Sequence, residues 1–188
     1  MGYALASAAR DIGMEVTLIS GAVNLPIPQG VDFIFIDTAL ELKEAMDKYF
    51  VEANLIIMCA AVSDHRPMIQ YENKLRKEEF PTKIILEKNP DILKDLGSKK
   101  KKNQVLVGFA AETTDLVKSA KRKLKKKNLD WIVANDVSRD EIGFSSDKNE
   151  VTLIDASGLQ KQIPFTDKSI IAKDILHAIS LSCLQKVH

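Results

Sequence analysis

Asp64 and Lys74, a carboxylate and an ammonium group, stand ten residues apart just beyond the apolar run Leu55–Ala60. The run closes in small residues, Ala60 and Ala61, which let a ligand approach the main chain. Ligands of open parallel sheets bind outside the carboxyl ends of the strands, so this pair could grip one polar ligand there. A surface turn with incidental charges is the competing account. Phe109 lies in Gly108–Thr113, where a strand would give way to a helix. Its ring could face a nucleobase and the helix amides beyond it could hold an anion; equally, it could be a core phenylalanine at a strand end. Asn89-Pro90-Asp91-Ile92-Leu93 is a second helix start beyond a strand, which a plain capped helix also explains. Lys121–Lys127 holds six basic residues in seven. Lys123 and Lys127 are four apart and share a helix face, so together they could neutralise a triphosphate. For most of this run a solvated helix end, favoured by the helix dipole, is sufficient explanation. Asn135-Asp136 ends another strand, as a turn or as a ligand contact.

Other chemistries lack their residues in the sequence. His65, His177 and His188 are scattered and form no metal-ligand pattern. No serine or cysteine has a histidine beside it in sequence, and neither GxxxxGK[ST] nor GxGxxG occurs. What stays open is nucleotide binding with electrostatic activation rather than covalent catalysis. A net charge of +1 gives no global field for nucleic acid, and the basic run has no interleaved aromatics. Two cysteines, Cys59 and Cys183, make no disulfide framework, and Cys59 reads as an inert buried thiol. No apolar run approaches the length of about 18 residues that a membrane helix needs, so a cytoplasmic protein is expected.

The elements that must position these residues follow from periodicity. At 188 residues, with 45% hydrophobic and 28% charged content, one core and one domain over 1–188 are expected. The chain opens directly as a helix with Leu5, Ala8 and Ala9 on one face and Gly13 as its stop. Strands are expected at Glu15–Ser20, Asp32–Asp37, Leu55–Ala60 (buried on both faces), Lys83–Glu87, Gln104–Ala110 and Trp131–Ala134. Pro67 is expected to push the chain out of regular structure. A helix capped by Thr38, with Glu41 three residues on, carries Leu40, Ala45 and Phe50. Pro90 marks the first turn of a helix over Asp91–Leu96, and Lys99–Lys102 reads as a solvated basic loop. Thr114–Lys127 is a helix with a Leu116, Ala120, Leu124 stripe. A turn-rich stretch runs from Asn135 to Lys148. Val151–Asp155 and Gln160–Pro164 flank Ala156-Ser157-Gly158 as a hairpin. Ser169–Gln185 closes the chain as a helix with Ile171, Ile175, Ala178, Ile179 and Leu181 apolar. Alternating strands and helices predict an α/β fold: a mostly parallel, helix-covered sheet with an antiparallel hairpin near the C-terminal end.

AAVSDHRP (Ala60–Pro67), the basic cluster Lys74–Lys77, KNPDIL (Lys88–Leu93), VGFAAET (Val107–Thr113), the basic helix, IVANDVS (Ile132–Ser138) and GFSSDKNEVTLID (Gly143–Asp155) occur in one order. The set resembles bacterial phosphopantothenoylcysteine synthetase, or phosphopantothenate–cysteine ligase, from Met1 to about residue 178. The resemblance implies a Rossmann-like domain that dimerises and serves coenzyme A biosynthesis. It implies a reaction of 4′-phosphopantothenate, cysteine and CTP through an acyl-cytidylate, with Mg²⁺ accompanying the triphosphate. By motif, Asp64, Pro90, Asp91, Ile92, Leu93 and Phe109 would hold the nucleoside part, and Ala60 and Ala61 are nucleotide-binding as well. Lys74, Lys123 and Lys127 would meet the phosphates, and Lys74 would offset charge developing as pyrophosphate departs. The apolar excursion through residues 68–87 would pair two subunits.

One departure accompanies the resemblance. Met1-Gly2 is similar to the end of a Ser-Ser-Gly-Lys-Met-Gly segment, so the chain is expected to be N-terminally truncated. The family's first strand, glycine-rich loop and second-step asparagine would lie upstream. Two other classes compete: a non-catalytic nucleotide-binding module, or an inactive fragment of the enzyme, and a sugar- or dinucleotide-binding oxidoreductase of related fold. The missing dinucleotide fingerprint counts against the last.

Overall fold

The computed structural model describes residues 1–112, 115–136 and 147–187. Expectations for Thr113, Thr114, residues 137–146 and His188 lie outside the described residues, as do the side chains of Glu112, Asp136 and residues 182–187, Cys183 among them.

Helix α1 (Gly2–Asp11) buries Leu5, Ala6, Ala8 and Ala9 on one face. Gly13, at φ +84°, donates its N–H to the Arg10 carbonyl (2.8 Å) and ends the helix as a left-handed C-terminal residue. Strands β1 (Thr17–Ser20) and β2 (Asp32–Phe35) pair in parallel. Helix α2 (Ala39–Phe50) is capped by Thr38, whose Oγ1 accepts from the Glu41 amide at 3.1 Å. Glu41 returns a bond to the Asp37 amide (2.7 Å), one residue earlier than the usual reciprocal pattern. Strand β3 (Leu55–Met58) leads into a ribbon in which β4 (His65–Pro67) and β5 (Leu86–Lys88) pair antiparallel. Next come α3 (Ile92–Lys99), β6 (Val105–Glu112), α4 (Leu116–Lys126) and β7 (Trp131–Asp136). The hairpin β8 (Lys148–Asp155) and β9 (Gln160–Asp167) turns at Gly158, φ +95°, and α5 (Lys168–Val187) closes the chain.

The main sheet has the order β3-β6-β7-β8-β9; β3, β6 and β7 are parallel, and the hairpin adds antiparallel strands. This is the α/β architecture that the alternation predicts. Side chains alternate along β6 and β7, so each strand feeds two cores. Val105, Val107 and Val133 pack with Leu5 of α1 and with Ile171, Ile175 and Ile179 of α5. Leu106, Ile132 and Ala134 pack on the other face with Leu96 of α3 and with Ala120 and Leu124 of α4.

Several expectations are corrected. The strand buried on both faces is not β3. Within the main sheet β3 pairs only with β6, and of its residues only Ile56 is buried. Pro67 stays in a strand, because a short two-stranded ribbon does not need its missing N–H. The strand expected at Lys83–Glu87 pairs only over Leu86–Lys88, leaving Ile84 and Ile85 exposed. Pro90 precedes the cap of α3 instead of sitting in its first turn; Asp91 is the cap. Lys100 is not solvated: its ammonium pairs with Asp130 at 2.8 Å, both side chains being largely enclosed. Leu40 and Leu181 face solvent, and Leu42 takes the core position expected of Leu40.

Candidate active site

A cleft with a volume of about 1120 Å³ opens beyond the end of β3. Ala60, Ala61, Ser63, Tyr71, Lys74 and Phe80 are among the residues that line it. The cleft therefore joins three residues that the sequence singles out, Ala60, Ala61 and Lys74. Gly21 and the N-terminal end of α2, from Asp37 to Ala39, also line it. Sequence reasoning missed these; the Thr38–Glu41 capping signal marked a helix start but not its orientation toward a cleft. Ser63 and His65 line the cleft on either side of Asp64, which is exposed and is not itself in the lining.

The second cluster lies on α3 and α4. Asp91 Oδ1 accepts from the Lys94 amide (3.2 Å) as the N-cap and from Lys127 Nζ (2.7 Å). Burial acts to raise the Asp91 carboxyl, but the bonds from Lys127 and from the Lys94 amide prevail and hold it below the usual carboxylate range. So two predicted phosphate or nucleoside contacts are partners of each other. Ile92 and Leu93 are core side chains, which leaves their main chain for a ligand. Lys123 sits one turn before Lys127 on the same helix and is partly buried.

Phe109 stands apart from that cluster. It is half-buried and packs with the α1–α5 core, whereas α3 and α4 cover the opposite sheet face. Asn135 lies two residues beyond Val133, hence on the Phe109 face of the neighbouring strand. Its Oδ1 is buried and has no hydrogen-bond partner among the described residues. A buried acceptor of this kind is uncommon and fits a position that a ligand or water would satisfy. Burial pushes the Cys59 thiol up to about 12, which disfavours the nucleophilic thiolate.

Comparisons with known proteins match this arrangement to one family. Residues 1–182 match the family described as the DNA/pantothenate metabolism flavoprotein C-terminal domain. The coenzyme A biosynthesis bifunctional protein CoaBC of Bacillus subtilis (strain 168) is 42% identical over 181 residues, covering 96% of this chain and 44% of that protein. The chain thus spans less than half the length of this relative. A crystal structure of the C-terminal domain of CoaBC superposes with a TM-score of 0.82 at 35% identity, covering 98% of this chain and 82% of the other. The Cab2 mutant H337A in complex with phosphopantothenate-cysteine shares the fold alone: TM-score 0.64 at 17% identity, over 85% of this chain and 55% of that one. The chain belongs to the family of the DNA/pantothenate metabolism flavoprotein C-terminal domain.

Proposed function

We propose that this chain is the domain that joins 4′-phosphopantothenate to cysteine in coenzyme A biosynthesis, as a CTP-dependent ligase. The observation that carries the reading is the 42% identity to Bacillus subtilis CoaBC across 96% of the chain. In the first step a carboxylate oxygen of 4′-phosphopantothenate bonds to the α-phosphorus of CTP, and the bond to the bridging oxygen breaks to release pyrophosphate. In the second the cysteine amine attacks the acyl carbon, an amide forms, CMP leaves, and the amine proton passes to solvent.

The residue roles are carried over from the motif set. Ala60 and Ala61 offer close main-chain approach at the cleft wall, and Lys74 in the same cleft meets the charge that grows as pyrophosphate leaves. Asp64, Pro90, Asp91, the main chain of Ile92 and Leu93, and Phe109 hold the nucleoside part. Lys123 and Lys127 meet phosphates; Lys127 must then leave or share Asp91, its partner in the free protein. Asn135 offers its oxygen, unpartnered among the described residues, on the Phe109 side.

Mg²⁺ accompanies the triphosphate, where it would neutralise phosphate charge. Among the described residues no three His, Cys, Asp or Glu side chains gather into a cage. That donor set fits an ion held chiefly by phosphate oxygens and water.

The ribbon supports a homodimer through residues 68–87. Met68 (60% exposed), Phe80 (64%), Ile84 (65%) and Ile85 (64%) present apolar surface, which is costly in water. A cytoplasmic location is part of the same proposal; among the described residues no helix is long and apolar enough to cross a membrane.

The test is CTP- and phosphopantothenate-dependent pyrophosphate release, with calorimetric titration of CTP against ATP. Release with tighter CTP binding is the expected result. CTP binding without release would favour a non-catalytic nucleotide-binding module. Equal or reversed affinities for the two nucleotides would overturn the CTP assignment.

A further inference from the structure

The two chain segments that enter and leave the ribbon carry residues proposed to hold the nucleoside, Asp64 on one and Pro90–Leu93 on the other. The ladder joining β4 to β5 is three residues long, with one further backbone bond beyond it, from the Met68 N–H to the Ile85 carbonyl (2.9 Å), at the end away from the feet. A two-stranded ribbon of that size is marginal in water, so something else must fix the spacing of its two feet.

Arg66 supplies it. Its Nη2 lies 2.9 Å from Glu87 Oε1. Its Nη1 donates to the Lys88 carbonyl (3.1 Å) and to Asn89 Oδ1 (2.9 Å). Asn89 then reaches across to the other foot: Nδ2 donates to the Ser63 carbonyl (2.8 Å) and the backbone N–H to the Asp64 carbonyl (2.8 Å). The orientation of the amide is fixed by chemistry. A guanidinium only donates and a carbonyl only accepts, so Oδ1 must face Arg66 and Nδ2 must face Ser63. Arg66 and Asn89 both line the cleft.

We propose that Arg66 is a positioning residue: acting through Asn89, it holds the Asp64 main chain against the start of the Pro90–Leu93 corner and so sets the width of the nucleoside site. The inference rests on the reading that these two segments hold a nucleotide. It also predicts that lysine cannot replace Arg66. An ammonium could keep the pairing with Glu87, but it has no planar fork to serve the Lys88 carbonyl and the Asn89 amide together.

The experiment pairs two readouts on the chain itself, for wild type, Arg66→Lys, Arg66→Gln, Asn89→Ala, Glu87→Gln and the double variant Arg66→Lys/Asn89→Ala. The first is hydrogen exchange at the residue 89 amide, with the β6 amides as internal reference for intact folding. The second is CTP affinity by calorimetry. Losing a bond to a charged group typically costs about 10–100-fold. Exchange at residue 89 and the Kd for CTP should therefore rise by about tenfold or more in Arg66→Lys and Arg66→Gln. Glu87→Gln should change both by less than about threefold, because an exposed ion pair contributes little. The double variant should bind CTP no worse than Asn89→Ala alone, since one residue acts through the other.

Unchanged exchange at residue 89 in Arg66→Lys overturns the proposal, and so does faster exchange with unchanged CTP affinity. Losses in Arg66→Lys and Asn89→Ala that multiply in the double variant overturn it too. If wild type itself does not bind CTP, the nucleotide reading falls with the role in nucleoside binding, while the exchange arm still decides whether Arg66 holds the two feet together.

Discussion

The α3–β6–α4 region and the β4–β5 ribbon both carry proposed site residues, yet they are built by different forces. In the first, Leu96, Leu106 and Ala120 are wholly buried and the site residues ride on packed helices. In the second, Phe80, Ile84 and Ile85 face water and the segment hangs on a three-residue ladder and the Arg66–Asn89 network. Packing fixes Asp91 and Lys127 before any ligand arrives. Lys74 belongs to a segment whose apolar side chains face water. Damage to the first region should register as lost stability, and damage to the second as lost assembly and binding.

The largest effect is expected where the core region depends on charge. Asp130 Oδ2 accepts from Lys100 Nζ (2.8 Å) and from the Leu106 amide of β6 (2.7 Å). Asp130→Ala leaves the buried Leu106 N–H without its acceptor and the enclosed Lys100 ammonium without its counter-charge, with only the Asn128 carbonyl (2.9 Å) still bonded to it among the described residues. Removing one partner of a buried pair costs about 3–5 kcal/mol. Urea denaturation should show a loss of that size; a loss below about 1 kcal/mol would mean that water reaches Lys100 and the region is looser than its packing implies.

Next in size are the glycines that let α3 approach its neighbours. A Cβ on Gly97 would stand 1.9 Å from the Lys127 carbonyl oxygen, a backbone atom that cannot swing aside. Gly97→Ala should cost about 1–3 kcal/mol and displace Lys127 from Asp91. A Cβ on Gly108 would meet Leu93 Cδ2 and Leu129 Cδ1, each at 2.8 Å. Those are ends of side chains that can yield, so Gly108→Ala should fall at the lower end of the same range. Chemical denaturation of both variants checks the order, and a costlier Gly108→Ala would reverse it.

The same division explains what was legible in the sequence. Elements whose signal is local were read correctly: the Thr38 cap, the Gly13 stop, the hairpin around Gly158, the Ala120–Leu124 stripe. The site residues of the cleft were legible as a motif, and Ala60, Ala61 and Lys74 do meet there. Long-range partnerships were not legible. Nothing in a run of lysines tells which one is enclosed with Asp130, and nothing in Pro90-Asp91 announces Lys127, which is 36 residues away. Nor does an apolar run reveal whether its strand is central or at an edge. Leu55–Met58 and Val105–Val107 are comparably apolar, and only the sheet order decides which is sandwiched. Phe109 and the α3–α4 cluster came from one motif set, but strand alternation sends them to opposite faces.

On the ribbon the expected change in protomer stability is small and the change in assembly is large. Ile84 and Ile85 are exposed, so Ile84→Ser with Ile85→Ser should lower the unfolding free energy by no more than about 0.5 kcal/mol per site when urea denaturation is run dilute enough for both proteins to be monomeric. Light scattering at micromolar concentration should show wild type as a dimer and the variant shifted to monomer. A wild-type monomer would refute the interface, and a large stability loss in the variant would show that these side chains belong to the protomer's own core.

The smallest effect tests whether the Asp91–Lys127 contact is fixed by packing alone or also by charge. The folded carboxyl of Asp91 is held below its usual value, against burial, by Lys127 and the Lys94 amide. A group depressed in this way contributes its stability above the unfolded pKa of about 3.9, and the contribution disappears as pH falls through the lower, folded value. Asp91→Asn keeps a good N-cap but removes the charge. The side chain is 41% exposed, so solvent screening limits the contribution to under about 1 kcal/mol. Wild type should therefore be slightly more stable than Asp91→Asn at about pH 6, and the two should converge as pH falls below the unfolded pKa and through the lower, folded one. Urea midpoints across that range are the measurement. A gap that stays constant down to the acid limit would assign the difference to cap geometry rather than charge, and the position of Lys127 would then be a product of α3–α4 packing at Gly97 alone.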